Sequence, residues 1–136
     1  MSTLPRLIRT ILALSLICLA FGCEAKGPKR YDRWGKVTFK GQPIPRGTIH
    51  FDPDLHAPND GPQGYADIVN GEFDTRKAPG LGSGSGKYFL RINAADGIPG
   101  PEAPMGKALF SPEVLIAREL PTEGVELTVE IPANMR

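Results

Sequence analysis

The chain has 136 residues, with 16 Lys and Arg against 15 Asp and Glu, a formal net charge of +1. That balance supplies no basic face for nucleic acid, which is excluded as an expected partner. Its 14 Pro and 16 Gly, with few helix-forming runs, point to one all-β domain of short strands and many turns. Both cysteines, Cys18 and Cys23, lie at the amino end, so neither a disulfide nor a thiolate metal site is available to the domain. Packing must hold it, and the length allows that.

In chain order, Met1 to Arg9 carries Arg6 and Arg9 and no acid, and the apolar run Ile11 to Phe21 follows. This is the layout of a secretory signal over residues 1–22, with an apolar run short of the roughly 20 residues of a spanning helix. Leu19 to Cys23 resembles a bacterial lipobox, with Ala20 and Phe21 as departures from its pattern. The resemblance implies that Cys23 is lipidated and becomes the new amino terminus. Acyl chains contribute about 0.8 kcal/mol per buried methylene, enough in combination to hold a domain at a membrane. The expected location is therefore exported and membrane-anchored, facing the periplasm or the cell exterior. Residues 23–32 read as a polar tether, in which Lys26, Lys29 and Arg30, with Arg33 just beyond, form a solvated basic cluster. Residues 33–136 are left for the domain.

Gly35 to Pro53 reads as a β-hairpin: Val37 and Phe39 alternate with Lys36, Thr38 and Lys40, and Ile49 and Phe51 with Thr48, His50 and Asp52, around a turn rich in Gly and Pro. Residues 55–64 form a loop by composition. Asn70-Gly71 marks a second hairpin over Tyr65 to Arg76. Lys77 to Gly86, with four glycines, reads as a flexible loop; it matches neither a phosphate-binding loop nor a GxSxG elbow. Lys87 to Asn93 alternates as a central strand, with Tyr88, Leu90 and Ile92 on its buried side. Asp96 to Met105 is a proline-rich crossing, and Lys107 to Phe110 a short strand. Ser111-Pro112-Glu113 has the order of a helix start, worth one turn at most before an extended segment. Val125 to Ile131 is the clearest strand, alternating without a break. About seven strands at this spacing predict a transthyretin- or Ig-like β-sandwich.

Gly35, Val37, Phe39, Gly41, Pro43, Ile44, Gly47, Ile49 and Phe51 match the pattern GxVxFxGxPIxxGxIxF. With Asn70 to Phe73 and Gly86-Lys87-Tyr88, they resemble a carboxypeptidase-regulatory-like, transthyretin-like domain over Gly35 to Ile131. The signal and lipobox extend the resemblance to small bacterial envelope lipoproteins of that kind. It implies a non-catalytic module with no catalytic residues and no cofactor to carry over. One departure stands out: the family commonly has an apolar residue at the place of Arg33, so the first strand is predicted to begin later than usual.

The best local constellation for chemistry is His50, Asp52, Asp54 and His56, whose imidazoles and carboxylates suit zinc or manganese if one extended face presents them. Pro53 interrupts that register, and the ordinary reading is a polar outer face. Asp52, Asp54, Asp60 and Asp67 lack the spacing of a calcium loop. Trp34, Tyr31 and Tyr65 are candidates for an aromatic ligand platform. The leading expectation is a non-enzymatic, lipid-anchored binding or structural module. Its partners would be the membrane, through Cys23, and an envelope protein or polysaccharide. The alternatives are a carbohydrate- or peptide-binding module using Trp34 and Tyr65, and a small metal-dependent hydrolase centred on His50 and His56.

Overall fold

The computed structural model describes residues 26–134, so the predicted signal and Cys23 lie outside the described residues. Eight strands follow in order: β1 (Arg33–Phe39), β2 (Gln42–Pro43), β3 (Arg46–Pro53), β4 (Gly64–Val69), β5 (Glu72–Asp74), β6 (Gly86–Ala95), β7 (Val114–Leu120) and β8 (Val125–Ile131). All belong to one curled sheet, ordered β2-β1-β5-β4-β3-β6-β7, with β8 on the remaining edge of β1. Every pairing is antiparallel except β1 with β8, which run parallel over seven residue pairs from Arg33 and Val125 to Phe39 and Ile131.

Alternation does what the pleat demands. Val37, Ile49, Phe51, Ala66, Ile68, Phe73, Leu90, Ile92, Val129 and Ile131 all turn inward and are buried, while their neighbours along each strand face out. Each fully buried aliphatic or aromatic side chain contributes about 1.5–3 kcal/mol relative to exposure. The curled sheet thus wraps one contiguous core, to which Phe39, Leu109, Phe110, Ile116 and Leu127 add half-buried cover.

The opening hairpin is not formed as predicted. Lys40 and Gly41, both at positive φ (51° and 75°), turn the chain after β1 into the two-residue β2 instead. Ile44, fully buried, then carries the chain across to β3, whose partners are β4 and β6 and not β1. Alternation set the faces of β1 and β3 correctly; nothing in it specifies a partner. The second hairpin does form as β4 and β5, with Asn70 and Gly71 at φ 51° and 77°. Strand β6 is central, pairing with β3 on one side and β7 on the other.

Two further expectations are corrected. Strand β1 begins at Arg33 and not later, because Arg33 is itself buried and paired with Val125. Residues 107–110 make a single bridge, Ala95 to Ala108, and no strand. The extended segment expected after Ser111-Pro112-Glu113 does form, without a helical turn before it: Val114 to Leu120 pairs with β6, where β-branched Val114 and Ile116 suit a pleated surface.

The glycine-rich segment is held fast rather than loose. Leu81 and Tyr65 exchange both backbone hydrogen bonds, at 2.9 Å each, and Ser83 and Tyr31 do the same at 2.7 and 3.2 Å. Residues 81–83 therefore act as a strip of sheet between Tyr65 and the amino-terminal segment. Glycine is required there by close approach: a Cβ on Gly82 would lie 2.6 Å from the Tyr31 carbonyl oxygen, and one on Gly84 would lie 2.4 Å from the Tyr88 hydroxyl.

Candidate functional site

Two places gather polar side chains: the end of the core beneath Arg33 and the outer surface over β1, β5 and β4. At the first, the alternation that turns Val37 inward also turns Arg33 inward, and it is fully buried. Among the described residues its guanidinium meets no carboxylate. Nε donates to Ser83 Oγ at 3.1 Å, Nη1 to the Glu123 carbonyl at 2.5 Å, and Nη2 to the carbonyls of Gly84 and Pro121, both at 2.9 Å. The Arg33 backbone N–H donates to Thr75 Oγ1 at 2.8 Å, and the Tyr31 ring lies 5.6 Å from the guanidinium carbon. Burial pulls the Arg33 pKa below its usual value, with Tyr88, Tyr31 and Asp32 opposing that shift. Beside it, Tyr88 donates its hydroxyl to the Pro62 carbonyl at 3.0 Å, and burial raises its phenol pKa.

Arg33 acts as a plug: every donor of its guanidinium that reaches an acceptor ties one chain segment to another. Among the described residues no buried side-chain nitrogen or oxygen lacks a partner. Arg30 joins the same end by donating to the carbonyls of Gln63 and Gly82, the latter at 2.7 Å. The expected solvated basic cluster is thus divided: Arg30 and Arg33 are engaged, while Lys26 and Lys29 are exposed. Sequence position groups Arg33 with the solvated cluster, whereas its inward parity with Val37 and Phe39 is the signal that could have found it.

At the second place a groove of about 530 Å3 runs along the outer face of β1, β5 and β4 to the Lys77–Pro79 turn. Trp34, Val69, Ala78 and Pro79 supply apolar surface; Asp67, Glu72, Asp74 and Glu126, with Lys36 and Lys77, supply charge. The Trp34 ring is stacked under Arg76, whose guanidinium carbon is 4.3 Å from the ring centroid. Arg76 is oriented by Asp74, which accepts from Nε at 2.8 Å and from Nη2 at 2.9 Å. That pairing holds the Asp74 carboxyl below the usual carboxylate range and raises Arg76. Arg76 therefore covers one face of the Trp34 ring.

Tyr65 shares this continuous outer surface but does not line the groove. It stands opposite His50 on β3, their ring centroids 6.2 Å apart, and is 37% exposed. Asp52 lies on the same outward row as His50, with its carboxylate engaged by Arg91 Nε at 2.7 Å and by Gln63 at 3.0 Å. Arg91, raised in pKa chiefly by that bond, also reaches Glu113 at 3.5 Å. His56 sits beyond the strand on an exposed turn, where its backbone N–H donates to Asp54 Oδ1. Among the described residues no group of three or more His, Cys, Asp or Glu side chains is placed to hold a metal ion. No helix in them is long and apolar enough to cross a membrane.

No family model matches this chain, and no curated protein or solved structure does so either.

Proposed function

We propose that the chain is a non-enzymatic envelope protein, anchored through a lipidated Cys23, whose transthyretin-like β-sandwich recognises a partner through the groove beside Trp34. The observation that carries this reading is the groove itself. It is concave, partly apolar, rimmed with charge, and formed by rigid strands that hold its side chains in place. The buried polar groups, by contrast, are consumed in holding the fold. The lipobox-like sequence at Cys23 and the short polar tether support anchoring.

The test has two arms. Mass spectrometry of the amino-terminal peptide from the native protein should find acylated Cys23, and Cys23→Ala should release the chain from the membrane fraction. An unmodified terminus elsewhere contradicts the anchor. Peptide and glycan arrays, and the chain itself as a ligand, should give binding that Val69→Arg removes without loss of fold; binding unaffected by that substitution contradicts the groove.

A further inference from the structure

Four consecutive residues at the start of the domain are tied to its body. Arg30 donates to the carbonyls of Gln63 and Gly82, and Tyr31 and Ser83 exchange backbone hydrogen bonds. The Asp32 carbonyl accepts from the Val125 N–H at 3.2 Å, and Arg33 is the buried plug. The chain therefore enters the domain at a fixed point, on the end of the core that Arg33 closes. Six residues, Glu24 to Lys29, separate Cys23 from this clamp. At about 3.3–3.6 Å per residue, even a fully extended chain takes Cys23 no more than roughly 25 Å from Arg30.

That reach is short against the domain. About 100 residues fold to a radius of gyration near 13 Å, a body roughly 30–35 Å across. Bringing the opposite end, with the Lys40-Gly41 turn and the loop 96–107, down to the anchor would need a chain as long as the body is tall. The clamped end is the one that can reach it. This end carries the loop 54–62, held over Tyr88 by the bonds that the Tyr88 hydroxyl and the Gly84 N–H donate to the Pro62 carbonyl. In that loop Leu55 is 77% exposed, the most exposed large hydrophobic side chain among the described residues. Leu81, also exposed, lies on the same end beside Tyr65. Charge does not choose the orientation, because exposed Lys26, Lys29 and Lys87 are met by exposed Asp32, Asp60 and Glu123. The length of the chain chooses it.

We infer that the Arg33 end of the domain rests on the lipid surface that holds Cys23, with Leu55 at the boundary between water and lipid and the loop 96–107 directed away. The inference rests on the anchored reading of Cys23 and adds which end of the domain the bilayer covers.

Two variants of the mature, lipidated chain in phosphatidylcholine vesicles test this. With the Cys23 thiol held in its thioether and Cys18 removed with the signal, Leu55→Cys or Ile98→Cys supplies the single thiol for a bimane label. Both replace exposed side chains, and circular dichroism should be unchanged. Nitroxide-labelled headgroups should quench the label at residue 55 several-fold more strongly than at residue 98. Equal quenching, or stronger quenching at 98, in a chain still bound to vesicles would overturn the orientation and leave the anchor standing. An unmodified Cys23 in a chain that does not bind vesicles would overturn both. About twenty Gly and Ser residues inserted between Lys26 and Gly27 add roughly 25 Å of average reach and should bring the two labels close to equal. A difference that survives the insertion would overturn the short tether as its cause.

Discussion

The two ends of the core are closed by opposite physics. Beneath Arg33 the stopper is a buried guanidinium whose bonds reach Ser83 and Gly84 before β6 and Pro121 and Glu123 in the turn between β7 and β8, joining segments distant in sequence. At the far end of β1, Phe39 meets Phe110 edge to face at 5.2 Å, and Leu109 adds cover. The polar stopper is directional and admits little change at any contact. The apolar one is forgiving, and it is at this forgiving end that the loop 96–107 presents exposed aliphatics.

Replacing Arg33 should separate the ends most sharply. Arg33→Met takes the donors from the Glu123 and Pro121 carbonyls, while Ser83 Oγ keeps its bond to the Gly84 carbonyl, and should cost about 3 kcal/mol or more in urea unfolding, at roughly 1–3 kcal/mol for each acceptor left without a partner. Gly84→Ala forces a Cβ to 2.4 Å from the Tyr88 hydroxyl and 2.8 Å from Pro62, and should cost toward the upper part of about 1–3 kcal/mol. Phe110→Ala, half-buried, should cost about 1–2 kcal/mol, less than the roughly 3–5 of a fully buried aromatic. If Phe110→Ala proved more damaging than Arg33→Met, the contrast between the ends would fail.

Two pH effects are smaller. The Tyr88 phenol is raised in the folded state, so the folded chain keeps its proton when the unfolded chain loses it. Stability from this group is present below the ordinary phenol value near about 10 and is lost as pH rises through the folded value. Tyr88→Phe should flatten that alkaline loss in thermal melts. Asp74 is lowered by Arg76, so its contribution is present above the ordinary carboxylate value and disappears as pH falls through the folded one. Arg76 is exposed and Asp74 half-buried, so the pair is screened by solvent and its effect on stability should be slight. Asp74→Asn should show instead in Trp34 fluorescence, as Arg76 leaves the ring; an unchanged spectrum would place Arg76 there without help from Asp74.

What could be read from the residues was local. Val125 to Ile131, Lys87 to Asn93 and the Asn70-Gly71 turn each carry their conformation in a few adjacent side chains, and each stands where expected. Partner choice is not local. Val37 and Ile49 show alternation of the same kind, yet β1 pairs with β5 and β8 while β3 pairs with β4 and β6. The glycines of residues 80–86 suggested freedom by composition, whereas Gly82 and Gly84 are there because backbone and side chain press against them. At the candidate site, the outward placement of Trp34 followed from alternation. The Arg76 stack and the union of residues 34, 67–72 and 77–79 in one groove required the curled sheet.

A buried, hydrogen-bonded guanidinium secures the amino-terminal end of the core. Hydrogen exchange at the Arg33 side chain, followed by nitrogen-15 NMR, addresses it directly. The Nε proton and those of Nη1 and Nη2 should exchange only as the whole domain opens, with the same urea dependence as the amides of β6. Exchange at the rate of an exposed arginine such as Arg118 would mean that water reaches Arg33 in the folded chain, and the plug would not exist.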